Sequence, residues 1–416
     1  MNPINTPTRG IALAIFVSGL TIQSGFSEGF RNPTTGAFSL GRAGGRIAQI
    51  DDATAIAQNP ANLMDLANSE FDISPTAVYY EASYENSTGA TGHTGHPWKL
   101  LPHFFFSYKL NDKFTAGLGV SAPYGLSTEW GETSAFKYTA PHFAELKVIN
   151  FNPTISTRLN EKITVGVGLD VFYSELELKT FIPFSGIAPV FNDGDLAFNS
   201  SGTGIGANAG VTFQITEKQR IAATFRSPVS VSYDGDYRYS YLPVVIPGAV
   251  AQQGTFGSHI TFPTIVALGY GIELPHHVRL ETDVEYIQFS TFDVLPLRTS
   301  EPILFGNKYI AQKWKDTFTV GVGGDWKFAD KWVFRAGYQY YQTPVPDNTF
   351  SPTIPDSRQH ALTAGIGYKG VKHGLEFGYG AILYEPRAIS NNQVAAYNGH
   401  YNMHVHLLSL TYGYKF

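Results

Sequence analysis

The chain has no cysteine and only 3 methionines, and beyond its N-terminal stretch no apolar run is long enough for a membrane-spanning helix, which takes about eighteen residues. The missing thiols exclude disulfides and thiolate metal sites. Asp, Glu, Lys and Arg make up only 15% of the 416 residues, with a net charge of -5. No segment concentrates lysine and arginine, so a nucleic-acid partner is not expected. No Gly-x-Ser-x-Gly elbow occurs, and Gly202-Thr203-Gly204-Ile205-Gly206 is followed by no helical pattern, which argues against a dinucleotide loop. Histidines fall at His93 and His96, at His276-His277, and at His404 and His406. The last pair has the i, i+2 spacing of a strand face, but no third ligand lies nearby, so solvated or interfacial histidines are the reading. No metal, cofactor or enzymatic activity is expected.

What is present points to strands. There are 42 glycines, 24 tyrosines and 30 phenylalanines, a composition suited to extended backbone with an aromatic surface. Arg9 followed by the apolar stretch 11–22 and small residues at Ser24 and Ser27 reads as an export signal. Cleavage after Ser27 is expected, leaving a chain that begins Glu28-Gly29-Phe30.

From residue 71 the sequence repeats a unit of alternating segment, short polar turn, alternating segment and long polar loop. The turns fall at 111–113, 160–162, 216–219, 275–277, 329–331 and 369–373, and the loops at 85–100, 122–143, 179–200, 233–256, 290–313, 344–356 and 386–399. About fourteen strands remain between them, with short turns at one end and long loops at the other, as in a bacterial transmembrane β-barrel. On 163–174 the odd positions Ile163, Val165, Val167, Leu169, Val171 and Tyr173 form the lipid face, opposed by Thr164, Gly166, Gly168, Asp170 and Ser174. On 318–328 Phe318, Val320, Val322, Gly324, Trp326 and Phe328 do the same, opposed by Thr319, Gly321, Gly323, Asp325 and Lys327. Trp332, Tyr340, Tyr368 and Tyr412 fall near strand ends, where interfacial aromatics belong.

Alternation turns Arg226, Arg279, Glu281, Asp283, Glu285, Asp325 and Arg335 toward the lumen, with Asp325 opposite Arg335 across the 329–331 turn. Buried charges of opposite sign pair, so a network that fixes an internal segment is expected ahead of a substrate carboxylate site. Leu176 and Leu178 offer an apolar lumen wall.

Only residues 36–66 read as neither strand nor loop. Gly41, Gly44 and Gly45 allow close turns, Asp51 and Asp52 can cap a short helix through Thr54, Ala55, Ile56 and Ala57, and Asn59-Pro60-Ala61 is expected as a stiff, non-helical corner. This stretch, with its Gly-Arg-Ala, Asp-Asp-Ala and Asn-Pro-Ala runs, resembles the N-terminal hatch of the FadL family of outer-membrane transporters for long-chain fatty acids and other hydrophobic compounds. Pro123-Tyr124-Gly125-Leu126-Ser127-Thr128-Glu129-Trp130 resembles the outer part of that family's third strand, and the closing strand ending in Phe416 resembles the outer-membrane assembly signal.

The resemblance implies a signal peptide at 1–27, a hatch at 28–68 inside the lumen and a barrel from 69 to 416. It implies a kink at Pro123 to Leu126 that opens the wall, with the corner Asn59-Pro60-Ala61 beside it. It also implies a ligand pocket at Leu176, Leu178, Lys179 and Thr180. The family's basic residue at the outer end of the fifth strand falls here on Thr180, with Lys179 beside it, which weakens the case for an acidic ligand. The implied function is passive uptake of a fatty acid or similar hydrophobic small molecule with lateral release into membrane lipid, by a monomer assembled through its C-terminal Phe416. Uptake of neutral hydrocarbons, or a surface receptor mounted on a barrel, stand as the alternatives.

Overall fold

A computed structural model describes residues 28–243, 251–303 and 309–416; the expected signal peptide lies outside them. Fourteen antiparallel strands close a barrel: β1 (70–85), β2 (98–109), β3 (114–129), β4 (Phe143–Asn160), β5 (Ile163–Ile182), β6 (Gly194–Thr216), β7 (219–239), β8 (253–274), β9 (Val278–Ile287), β10 (Thr317–Ala329), β11 (Trp332–Tyr341), β12 (Gln359–Lys369), β13 (His373–Tyr384) and β14 (Gly399–Lys415). Each pairs with its neighbours in sequence, and β14 returns to β1 through Thr76↔Ser409 to Glu85↔His400. Closure leaves no sheet edge along the seam, which is what lets strands cross a bilayer whose core offers backbone groups no water.

The alternation read from sequence sets the faces. Val167, Leu169, Phe318, Val320, Val322, Leu408 and Leu410 are exposed outward, while Thr164, Asp170, Ser174 and Thr319 are buried toward the lumen. Trp332 of β11 and Tyr368 of β12 are register partners and meet edge to face, with ring centres 5.3 Å apart.

Several strands run further than the sequence suggests. β6 reaches Gly194, β7 continues to Tyr239 and β8 starts at Gln253, all inside stretches read as loops. The reason is an inversion of polarity. Beyond the apolar belt, β7 turns Val229, Val231 and Tyr233 inward while Ser230 and Ser232 face out, so the exterior there carries loop-like residues although the backbone stays paired.

Residues 28–66 pack against inward-facing strand residues, as where Glu281 and Asp283 accept from the amides of Ile47 and Arg46. They form α1 (Gly36–Gly41), α2 (Ala55–Gln58) and a 3-10 turn, Pro60–Asp65. Gly44, at φ +87, shows why no side chain fits here: a Cβ would lie 2.5 Å from the Val322 amide nitrogen and 2.6 Å from Gly321 Cα. The helix at 55–58 forms, but Thr54 stands at its start and no side chain caps it; Asp52 accepts from the Thr54 amide at 3.0 Å, ahead of the first helical residue. Asp51 instead pairs with Lys369 at 2.6 Å and Arg279 at 2.9 Å. The expected non-helical corner is half right in shape. Asn59 is extended, at φ -144 and ψ 100, but Pro60 opens the 3-10 turn, since a first helical residue needs no amide donor and proline's fixed φ suits it.

Candidate functional site

Above the N-terminal segment the barrel encloses a cavity of about 390 Å³. Leu176, Leu178 and Thr180 of β5 line it with Leu196 and Phe198 of β6 and Ile260 of β8. Residues 292–297, from the loop after β9, fold inward and add Phe292, Leu295 and Leu297. Among the described residues the lining holds no Asp, Glu, Lys, Arg or His; its polar groups are hydroxyls and amides such as Thr349, Gln312, Asn348 and Gln393. Lys179 is not with them. It stands one residue out of phase with Leu178, turns to the outer face, and pairs there with Glu177 at 2.8 Å and with the Phe143 ring at 4.7 Å.

Phe30 forms the inner end of this cavity, and nothing in its sequence neighbourhood marks it. Its ring lies 5.0 Å from Trp314, 5.2 Å from Phe292, 5.6 Å from Phe262 and 5.9 Å from Tyr124. These partners come from β3, β8 and the loop after β9, so only folding brings them together.

Tyr124 belongs to an interruption of β3 at 122–124, between Phe114–Ser121 and Gly125–Glu129. Below it β3 pairs with β2, from Phe104↔Val120 to Lys109↔Thr115. Above it Gly125–Glu129 pairs with β4 alone, and no ladder joins it to Trp98–Leu101 of β2 among the described residues. The freed backbone groups turn to the N-terminal segment. The Asn32 amide donates to the Pro123 carbonyl at 3.0 Å, and the Gly125 amide donates to the Phe30 carbonyl at 2.8 Å. Asn32 Nδ2 also donates to the Ala122 carbonyl at 2.9 Å. Pro123, lacking an amide donor, can sit where the ladder stops. Across the gap Lys99 Nζ reaches Ser127 Oγ at 3.0 Å. Leu126, just past the interruption, lines the cavity.

The corner Asn59-Pro60-Ala61 does not make these contacts; Phe30 to Asn32 does. Asn59 Nδ2 donates to the Ile47 carbonyl at 2.8 Å and to Thr212 Oγ1 of β6 at 3.0 Å, and Ser156 Oγ of β4 donates to the Pro60 carbonyl. The corner therefore meets β4, β5 and β6, where Gly166 and Gly210 leave room for its backbone. Sequence proximity to a proline corner could not distinguish which lumen-facing glycines would receive it.

The inward charges bind the N-terminal segment. Glu281 accepts from the amides of Ile47, Ala48 and Gln49 and pairs with Arg42 at 3.2 Å. Asp283 accepts from the Arg46 amide, and Glu285 pairs with Arg31 at 2.7 Å and with Arg46 at 2.5 Å. Asp325, opposite Arg335 in register, bonds Arg42 at 2.6 Å and Arg279 at 2.8 Å instead. Arg335 pairs with Glu376 at 2.9 Å, and Arg226 with Asp170 at 2.6 Å. Further out, burial pushes the Glu28 carboxyl up to about 8 despite Arg31 at 3.7 Å. Sequence reading found the strand half of this network; Arg31, Arg42 and Arg46 supply the other half. His404 and His406 face outward on β14, and His406 Nδ1 lies 2.9 Å from Tyr379 Oη.

A family model described as outer membrane protein transport protein (OMPP1/FadL/TodX) matches residues 18–416. A long-chain fatty acid transport protein of Salmonella typhi is 28% identical over 388 residues, covering 86% of this chain and 87% of its own length. That of Escherichia coli K12 is 26% identical over 398 residues, with 86% and 87% covered. Among solved structures, a Pseudomonas aeruginosa FadL homologue superposes with a TM-score of 0.81 at 19% identity, covering 93% of this chain and all (100%) of that one. The Pseudomonas putida toluene transporter TodX gives 0.74 at 17%, covering 92% and 98%.

Proposed function

Since the chain belongs to the OMPP1/FadL/TodX family of outer-membrane transport proteins, and is a transport channel of that membrane rather than an enzyme, we propose that it passes uncharged hydrophobic molecules inward by passive diffusion. The observation that carries this reading is the cavity lining, which holds apolar side chains with neutral hydroxyl and amide groups and no Asp, Glu, Lys, Arg or His among the described residues. An ionised carboxylate buried there would lack a cationic partner, and such burial is costly. Neutral alkanes and aromatics incur no such cost.

The route runs from the cavity past Phe30 and Leu126 to the interruption of β3, and out sideways into the bilayer. Burying a methylene is worth about 0.8 kcal/mol, so a sixteen-carbon chain leaving the cavity through water would lose on the order of 10 kcal/mol. A lateral exit avoids that loss. Residues 28–68 act as the hatch that blocks the straight path, held by the buried ion pairs. A second reading, fatty-acid uptake, is favoured by the relatives' names and by Thr349, Gln312 and Asn348 in the lining, which could bind a carboxyl group held as the neutral acid.

Calorimetric titration of the detergent-solubilised protein with a long-chain fatty acid, its methyl ester and an alkylbenzene tests the reading. The ester and alkylbenzene are expected to bind at least as tightly as the acid at pH 8. A tenfold preference for the acid at that pH overturns the neutral-ligand reading.

A further inference from the structure

A second, smaller space adjoins the interruption of β3. It is a chamber of about 70 Å³, walled by Asn32, Pro123 and Tyr124 at the interruption and by Arg31, Arg46 and Arg226. A neighbouring pocket of about 50 Å³ shares those three arginines and adds Asn208 and Glu285. No described residue lines both the chamber and the large cavity. Phe30 closes the cavity, and Arg31 and Asn32, next in sequence, belong to the chamber.

The two spaces differ in chemistry. Three guanidinium groups converge on the chamber, and its lining holds no Asp or Glu among the described residues. Arg31 and Arg46 share one carboxylate, Glu285, at 2.7 and 2.5 Å, and Arg226 pairs with Asp170 at 2.6 Å. Glu28, 3.7 Å from Arg31, accepts from the Thr317 and Thr319 hydroxyls and lines neither small space. Donors are also left over. Arg46 Nε, Asn208 Nδ2 and Tyr124 Oη are buried without a hydrogen-bond partner, and an unmet buried donor is costly. Water would meet those donors but brings donors of its own and no charge. A carboxylate has about four acceptor positions and no donor, and its bonds to guanidinium are charge-assisted.

We propose that the chamber is a binding station for organic carboxylates, holding the ionised head on the arginines while the apolar body lies toward the β3 interruption. It rests on the lateral route proposed above and adds a charged class of cargo to it. Because Phe30 stands between the two spaces, the cavity keeps its preference for neutral ligands.

The probe is 4-bromobenzoate, whose bromine anomalous diffraction locates. Wild-type crystals soaked at pH 8 should show the carboxylate on the arginines and the bromine on the side of the interruption, and crystals soaked in bromobenzene should show nothing there. Bromobenzoate in the large cavity alone, or nowhere, overturns the proposal. The double variant Arg226→Gln, Asp170→Asn removes the cation and its partner carboxylate together, so no buried charge is stranded. Its uptake of radiolabelled benzoate at pH 8 should fall at least about tenfold, the factor a hydrogen bond to a charged group is worth, with toluene uptake within a factor of about two. Unchanged benzoate uptake, or an equal fall for both compounds, overturns the station. Should the variant fail to assemble, the soaks decide alone. Absence of toluene uptake by the wild type would instead defeat the transport reading, and the soaks would still decide the chamber.

Discussion

Replacing Glu281 with alanine should loosen the N-terminal segment while leaving the barrel closed. Its carboxylate receives the amides of Ile47, Ala48 and Gln49 at 2.5 to 2.9 Å and pairs with Arg42. Arg42 is fully buried, and after the substitution it keeps Asp325 and the Gln49 carbonyl. Removing one member of a buried ion pair costs about 3–5 kcal/mol, and each orphaned buried amide adds roughly 1–3 kcal/mol where no water replaces the acceptor. Taking about 3 kcal/mol as the floor, the segment's local opening should rise by roughly two orders of magnitude. The strand ladders are untouched, because β9 keeps its pairing with β8 and β10 through the backbone. Hydrogen exchange read by mass spectrometry on a peptide spanning 46–50 should therefore speed up about a hundredfold, while β9 peptides and heat-modifiable gel mobility stay as in the wild type. Unchanged exchange at 46–50 would refute the view that this carboxylate anchors the segment; loss of heat-modifiability would show that it serves the barrel itself.

Other substitutions separate the parts. Gly166→Val sets a Cβ 2.5 Å from the Pro60 carbonyl carbon and 2.7 Å from the Ala61 nitrogen, backbone that cannot rotate aside, so a penalty of about 1–3 kcal/mol should appear as faster proteolysis within 28–68. Lys179→Ala should leave ligand affinity within a factor of about two, since an exposed pair such as its own with Glu177 contributes little; a tenfold loss in titration would place the lysine in the binding path. Burial pushes the Asp356 carboxyl up to about 6 from 3.8, in the loop between β11 and β12. A raised carboxylate stabilises the folded loop fully below the unfolded value and loses that contribution as pH climbs through about 6. Cleavage of residues 344–356 by added protease should then be slower at pH 5 than at pH 7, and Asp356→Asn should remove the difference.

The barrel was legible because its physics is local and periodic. A strand in lipid must alternate, so Ile163 to Tyr173 and Phe318 to Phe328 declare their faces two residues at a time, and turns such as 111–113 carry their own chemistry. The inward direction of Glu281, Asp283, Asp325 and Arg335 follows from the same period. Where the outward surface leaves the apolar belt, the contrast that marks a strand disappears, and β7 beyond Pro228 reads as loop although its ladder with β8 continues. What meets across the lumen obeys no period. Asn59-Pro60 could dock on any lumen-facing glycine, and it is the barrel's curvature that brings it to Gly166 and Gly210 and leaves the broken ladder of β3 to Phe30 and Asn32. Lys179 and Thr180 are neighbours in sequence and lie on opposite sides of the wall. The sequence by itself determined strand number, faces and the sign of the lumen charges, all set by backbone periodicity and solvent. The tertiary structure alone decided which side chains close on the cavity, because those contacts join residues hundreds of positions apart, and only the closed barrel fixes their distances.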